Sequence, residues 1–175
     1  MRAALVACAL LLTSCGVRPE GTPHRLDDAA VPVAPGSPIA RPAGVTVHLV
    51  REGRVVPVRR IVVAPPTLGG RLASLTRGPD DREAADGLTT AIGDRAVAVS
   101  VDGGVAAVEL TAGFEALTVT ERALAAAQVV FTLTEDGGVR AVRFTAGGDA
   151  VAVPRAPGPP TTKPVNRDDY ATLGG

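Results

Sequence analysis

Tryptophan is absent from this 175-residue chain, and its aromatic side chains are few: Phe114, Phe131, Phe144 and Tyr170. Proteins that hold single-stranded nucleic acid stack the bases on aromatic platforms, and these scattered rings cannot pave one. The same shortage argues against a carbohydrate platform. Charge of one sign is not in excess either, since 18 basic residues balance 18 acidic ones. A surface that neutralises phosphates needs a net positive field, so nucleic acid is not an expected partner. Cysteine is confined to Cys8 and Cys15, which leaves the rest of the chain without a thiol for a disulfide, a metal or a nucleophile. All the cationic residues but Lys163 are arginine; with the abundant Ala, Gly and Pro this points to a high-GC genome rather than to a function.

The first fifteen residues carry the most specific signal. Arg2 gives a positive start, and residues 3–12 form an uninterrupted apolar run. The run is short of the roughly 20 residues that cross a bilayer core and suits the hydrophobic stretch of a secretory signal. It ends in Leu12-Thr13-Ser14-Cys15, which resembles the lipobox of bacterial lipoproteins. That resemblance implies removal of residues 1–14 and a diacylglyceryl group on Cys15, which becomes the new amino terminus. Two or more acyl chains hold a protein on a membrane where one is marginal. The expected location is therefore the cell membrane, lipid-anchored, facing the extracytoplasmic side.

After Cys15 the composition changes. Pro19, Pro23, Pro32, Pro35, Pro38 and Pro42 punctuate a stretch to residue 43 that has neither helical nor strand periodicity, as in a semi-extended linker. Stretched as polyproline it would reach roughly 90 Å, and as a flexible coil nearer 30 Å. A folded body is expected over residues 44–153. Val45, Val47 and Leu49 alternate on one strand face; Glu52-Gly53 makes a turn; residues 55–63 form a second strand, with Pro57 marking an edge or a bulge. Thr67 is placed to cap a helix whose Leu68, Leu72 and Leu75 form one stripe, closed by Gly78-Pro79. A charged loop follows, and residues 87–92 have no clear assignment. Residues 95–101 form a strand with Val97, Val99 and Val101 on one face, joined through Gly103-Gly104 to a partner carrying Ala106, Val108 and Leu110. Thr118 and Glu121 make a capping-box pattern for a largely buried helix over residues 120–134. Short strands at residues 139–144 and 150–153 follow. The order β-β-α-β-β-α-β-β predicts an α+β fold: a small, mainly antiparallel sheet with two helices on one face. Residues 154–175 are Pro-rich and then polar; Tyr170 either docks on the body or belongs to an unfolded end.

Several stretches of the body resemble the GerMN domain, also called the sporulation and spore germination domain, as it occurs in lipoproteins of actinobacterial type. They are residues 72–79, including Gly78 and Pro79; residues 87–92, beginning Gly87-Leu88-Thr89; residues 108–114; and residues 127–134, with Gln128, Thr132 and Leu133. Residues 139–148 resemble the family's closing strand and turn. Where many members carry Pro after the Ile of the second motif, this chain has Gly93. The resemblance implies an α-β-β-α-β unit similar to ring-building motifs, and motifs that are structural rather than catalytic. It also implies partners outside the membrane, and no enzyme activity or cofactor comes with it.

A search for chemistry agrees. There is no Gly-x-Ser-x-Gly elbow and no His-Glu-x-x-His. His24 falls in the linker, His48 in a strand beside the core face, and neither Ser74 nor Ser100 has a base nearby in sequence. Asp80, Asp81, Glu83 and Asp86 lack a calcium-loop register and read as a solvated acidic loop, so no metal is expected. Gly69-Gly70 at a helix start is a weak anion site. Arg51, Arg54, Arg59 and Arg60 are the best interaction surface, for anionic headgroups, a wall polymer or an acidic protein patch; covering the wet side of a strand pair is the plainer reading. The function expected is that of a lipid-anchored, non-catalytic module that binds an unidentified envelope protein. The alternative is an extracytoplasmic receptor for a small ligand or the cell wall, with residues 80–92 as its recognition loop.

Overall fold

The computed structural model describes residues 42–63 and 67–175. The lipobox Leu12, Thr13, Ser14 and Cys15 and almost all of the linker lie outside the described residues. Strand β1 (Ala43–Arg51) pairs antiparallel with β2 (Arg54–Val62). Their two-residue turn has positive φ at both Glu52 and Gly53, the turn geometry whose twist matches that of the flanking strands. The hairpin is a sheet by itself. Pro57 sits on the outer edge of β2 opposite His48, where a missing N–H costs no ladder bond.

Helix α1 (Leu68–Thr76) starts at Thr67, whose side chain accepts from Gly70 N at 3.0 Å. It ends as Gly78 turns to φ +77. The charged segment read as a loop contains a short helix, α2 (Asp81–Ala85). Asp80 caps it while Glu83 reaches back to the Asp80 N–H at 2.8 Å, so the acidic residues are helix-start chemistry. Strands β3 (Ala96–Asp102) and β4 (Val105–Leu110) form a hairpin over Gly103-Gly104. Helix α3 (Val119–Leu133) carries the expected box between Thr118 and Glu121. It crosses over to β5 (Ala141–Ala146), which therefore lies parallel to β4. A two-residue strand, β6 (Asp149–Ala150), completes the order β3-β4-β5-β6.

The α+β architecture and its α1-β3-β4-α3-β5 unit are those expected, with the strands divided between two sheets. Helix α3 packs against the hairpin, α1 and β5, and its residues from Ala123 to Val130 are all buried. One apolar core joins hairpin, helices and larger sheet. β3 departs from its expected face. A bulge between Ala96 and Ala98 breaks the alternation, so Ala96 is buried while Val97 is 62% exposed and Val101 49%.

Residues 154–175 are folded against the body. Val165 bridges Val142, and a short 3-10 turn over Arg167–Tyr170 follows. Val55 then donates to Leu173 O at 2.7 Å and accepts from Gly175 N at 3.0 Å. Of the two alternatives for Tyr170, docking is the one found: its ring is fully buried, and its hydroxyl has no hydrogen-bond partner. Among the described residues no helix is long and apolar enough to cross a membrane.

Two substitutions separate the ring from the hydroxyl. Tyr170→Ala should lose about 3 kcal/mol or more in denaturant unfolding, as for other large buried side chains. Tyr170→Phe should unfold at an equal or higher midpoint, because it removes only an unpartnered polar atom.

Candidate functional site

The residues singled out by pattern fall into three places. The first is the outer edge of β1. One turn apart on α3, Gln128 and Thr132 face the same way, and both are fully buried. Thr132 Oγ1 accepts from His48 N at 2.9 Å, and Gln128 Nε2 donates to His48 O at 2.9 Å. Gln128 Oε1 also accepts from Ala91 N at 2.7 Å and Ile92 N at 3.2 Å. Two residues along, Val50 exchanges both backbone bonds with Thr89. Gly87, with φ +79, turns the chain into this contact, and Leu88 and Leu133 are buried beside it. The structure thus brings together the stretch from Gly87 to Ile92 and the pair Gln128 and Thr132. Their polar atoms are engaged by backbone.

The second place is the corner where β2 meets α1 and α2. Arg60 does not belong to an open basic patch. Its Nε donates to Glu83 Oε1 at 2.9 Å, and its two Nη atoms reach Ser74 O at 2.6 Å and Gly78 O at 2.7 Å. The hydrogen bond from Arg60 holds the Glu83 carboxyl below its usual range, against the opposing effect of burial. Arg51 and Arg54 flank the hairpin turn instead, with Arg54 donating to Gly174 O at 3.3 Å. Arg59 is exposed on the other face of β2 from Arg60. Arg51 and Arg54 thus stand at the turn of the hairpin, and Arg59 and Arg60 towards its other end. Arg59 and Arg60, with Ile61, Arg77, Pro79 and Asp80, line a cleft of about 410 Å³ over this corner. Among the described residues, no group of three or more His, Cys, Asp and Glu side chains could hold a metal ion.

The third place surrounds His48. Its ring is buried, lies 5.5 Å from the Phe131 ring centroid and has no partner for Nδ1. Nε2 stands 3.7 Å from Glu135 Oε2, and Glu135 is itself paired with Arg167. Burial pushes the imidazole down to about 4; Glu135 opposes this and Arg167 adds to it. Neutral His48 therefore acts as packing between β1, Phe131 and the C-terminal segment. Ser74 Oγ faces Arg60 at 3.3 Å, and Ser100 lies on the larger sheet, in a shallow cleft with Asp102 and Arg143. Neither serine joins the histidine. Pattern reading missed Arg71, buried on α1 and paired with Asp136. It also missed the inward turn of Arg60. The Asp80-x-x-Glu83 spacing could have announced the first turn of α2.

Comparison with known proteins follows the same lines. The family model described as Germane, sporulation and spore germination, matches residues 40–152. The solved tandem GerMN domains of the sporulation protein GerM from Bacillus subtilis superpose with a TM-score of 0.57 at 16% identity. That match covers 74% of this chain and 48% of the other, about half its length. The first GerMN domain of the same protein gives a TM-score of 0.53 at 15% identity, over 72% of this chain and 98% of that domain. No curated protein matches the chain.

Gln128→Leu should leave the N–H groups of Ala91 and Ile92 and the carbonyl of His48 unpartnered in the interior. The expected loss is about 3 kcal/mol or more in denaturant unfolding. His48 sets a pH dependence. The folded state disfavours its proton, so its stabilisation is complete above pH 6.5 and is lost as pH falls towards 4. The unfolding free energy should drop by roughly 3 kcal/mol more over that interval in the parent than in His48→Leu.

Proposed function

The chain belongs to the Germane family of sporulation and spore germination domains, and on that premise we propose that it is a lipid-anchored extracytoplasmic lipoprotein. Its folded body is a non-catalytic module that binds a protein of a cell-envelope assembly. The observation that carries the location is Leu12-Thr13-Ser14-Cys15 at the end of a ten-residue apolar run. The Pro-rich composition of residues 16–43 suits a tether between such an anchor and the body. The non-catalytic reading is supported by where the polar side chains are used. Gln128, Thr132 and Arg60 serve backbone carbonyls and amides, and His48 is buried away from both serines.

A second reading is an extracytoplasmic receptor for a small ligand or the cell wall. It is favoured by one feature, the open cleft of about 410 Å³ with Arg59, Arg77 and Ile61 in its wall. Saturable binding of an anionic glycan fragment, lost in Arg59→Gln with Arg77→Gln, would favour the receptor over the assembly module.

The anchor is tested with Cys15→Ala expressed in a lipoprotein-processing host. The unsubstituted protein should fractionate with membranes and carry a lipid mass on its first residue. The variant should leave the membrane fraction and lose its in-cell photo-crosslinks to envelope proteins. Retention of the variant on membranes with unchanged crosslinks would overturn the anchor.

A further inference from the structure

The larger sheet has one closed side and one open side. Beyond β5, the outer positions are taken by β6, which pairs with Thr145 and Ala146, and by Val165, which pairs with Val142. Beyond β3, among the described residues, no strand follows. The two-residue turn makes Asp102 and Val105 a mutually bonded pair, so by alternation Ser100 and Ala98 point their backbone groups at β4. The N–H and C=O groups of Val99 and Val101 point away from the sheet. Such an edge is a template for another strand. Two of the large apolar side chains left exposed on the body, Val97 and Val101, lie on this strand. No Lys or Pro blunts it, and its bulge is confined to the start.

The strand is complementary to itself. Paired antiparallel about Val99, two copies place Val97 of one beside Val101 of the other, twice. Arg95 at the start of the strand and Asp102 at its end make no ion pair among the described residues. Antiparallel pairing sets each arginine near the other copy's aspartate, whereas parallel pairing sets like charges together. Helix α1, which packs under β3, does not stand in the way. Its exposed positions are Gly69, Gly70 and Ala73, and a Cβ added at Gly69 would meet nothing within 4 Å.

We propose that β3 is the interface through which two copies of this chain join, antiparallel about Val99, so that their larger sheets become one. The occupant of the edge is a second copy, and the inference is independent of the lipid anchor.

The test uses the full chain with Val99→Cys, in an otherwise cysteine-free background carrying Cys8→Ala and Cys15→Ala, treated with a mild oxidant in cells. Directly opposed residues of this kind stand about 5.5 Å apart at Cα, within disulfide reach. The expected result is a covalent dimer of twice the chain mass. Val119→Cys, on α3 and more exposed than Val99, should remain monomeric. Adding Val97→Arg and Val101→Arg should cut the dimer by about tenfold or more, since like charges would then oppose across the pairing. Crosslinking no greater than that of Val119→Cys would overturn the proposal, and so would an adduct of any other mass. Should Val99→Cys accumulate poorly, sedimentation of the Cys15→Ala chain decides: a dimer that Val101→Arg dissociates upholds the interface, and a monomer removes it. Because every sample lacks Cys15, these outcomes say nothing against the anchor.

Discussion

A strand edge turned towards the interior needs hydrogen-bond partners as much as any buried side chain does, and β1 finds its partners on a helix. Val50 is paired by Thr89, but at His48 the place of a neighbouring strand is taken by Thr132 Oγ1 and Gln128 Nε2. Through its other atom, Gln128 also holds the amides of Ala91 and Ile92. One carboxamide thus joins the hairpin, the loop before β3 and the most buried helix. An unpartnered buried amide costs about 1–3 kcal/mol, which explains why a fully polar side chain sits at the centre of an apolar core. The helix that faces the larger sheet is thereby fixed against the hairpin in angle and register.

The same economy of polar groups recurs at the corners. Arg60 gathers the end of α1, the carbonyl of Gly78 and the Glu83 carboxylate, so three chain segments meet on one guanidinium. Arg167 lies 5.0 Å above the Phe131 ring centroid and donates to Phe131 O and Thr134 Oγ1, fastening the C-terminal segment to the end of α3. Planar, always charged groups with several donors suit this work, because they satisfy many acceptors from one position. Arg60 and Gln128 thus account for two of the stretches that give the chain its likeness to GerMN domains. What they share is a role in assembling the scaffold.

Much of the local structure was legible in the sequence, and the reason is range. The caps at Thr67 and Thr118, the paired glycines at the turns and the stripe of Leu72 and Leu75 are decided by neighbours within four residues. Asp80 and Glu83 obey the same rule, but a run of charges disguised a helix start as a loop. The exposure of Val97 was not legible, because a bulge depends on the register between two strands. Nor was the inward turn of Arg60, whose partners lie 14 to 23 residues away. Gln128 stood out by resemblance alone; its bond to His48 spans 80 residues, and no periodicity reports on that. The docking of Tyr170 depends on a surface that only the finished core provides.

The strap that residues 173–175 lay across Val55 has a consequence for how the chain is made. Arg54 and Gly174, which touch in the finished fold, are 120 residues apart in order of synthesis. The hairpin therefore emerges early, with Val55 bare until residues 173–175 are made. Contacts of such long separation delay folding. Loss of residues 173–175 would therefore leave the backbone of β2 at Val55 without partners, whatever the state of the helices.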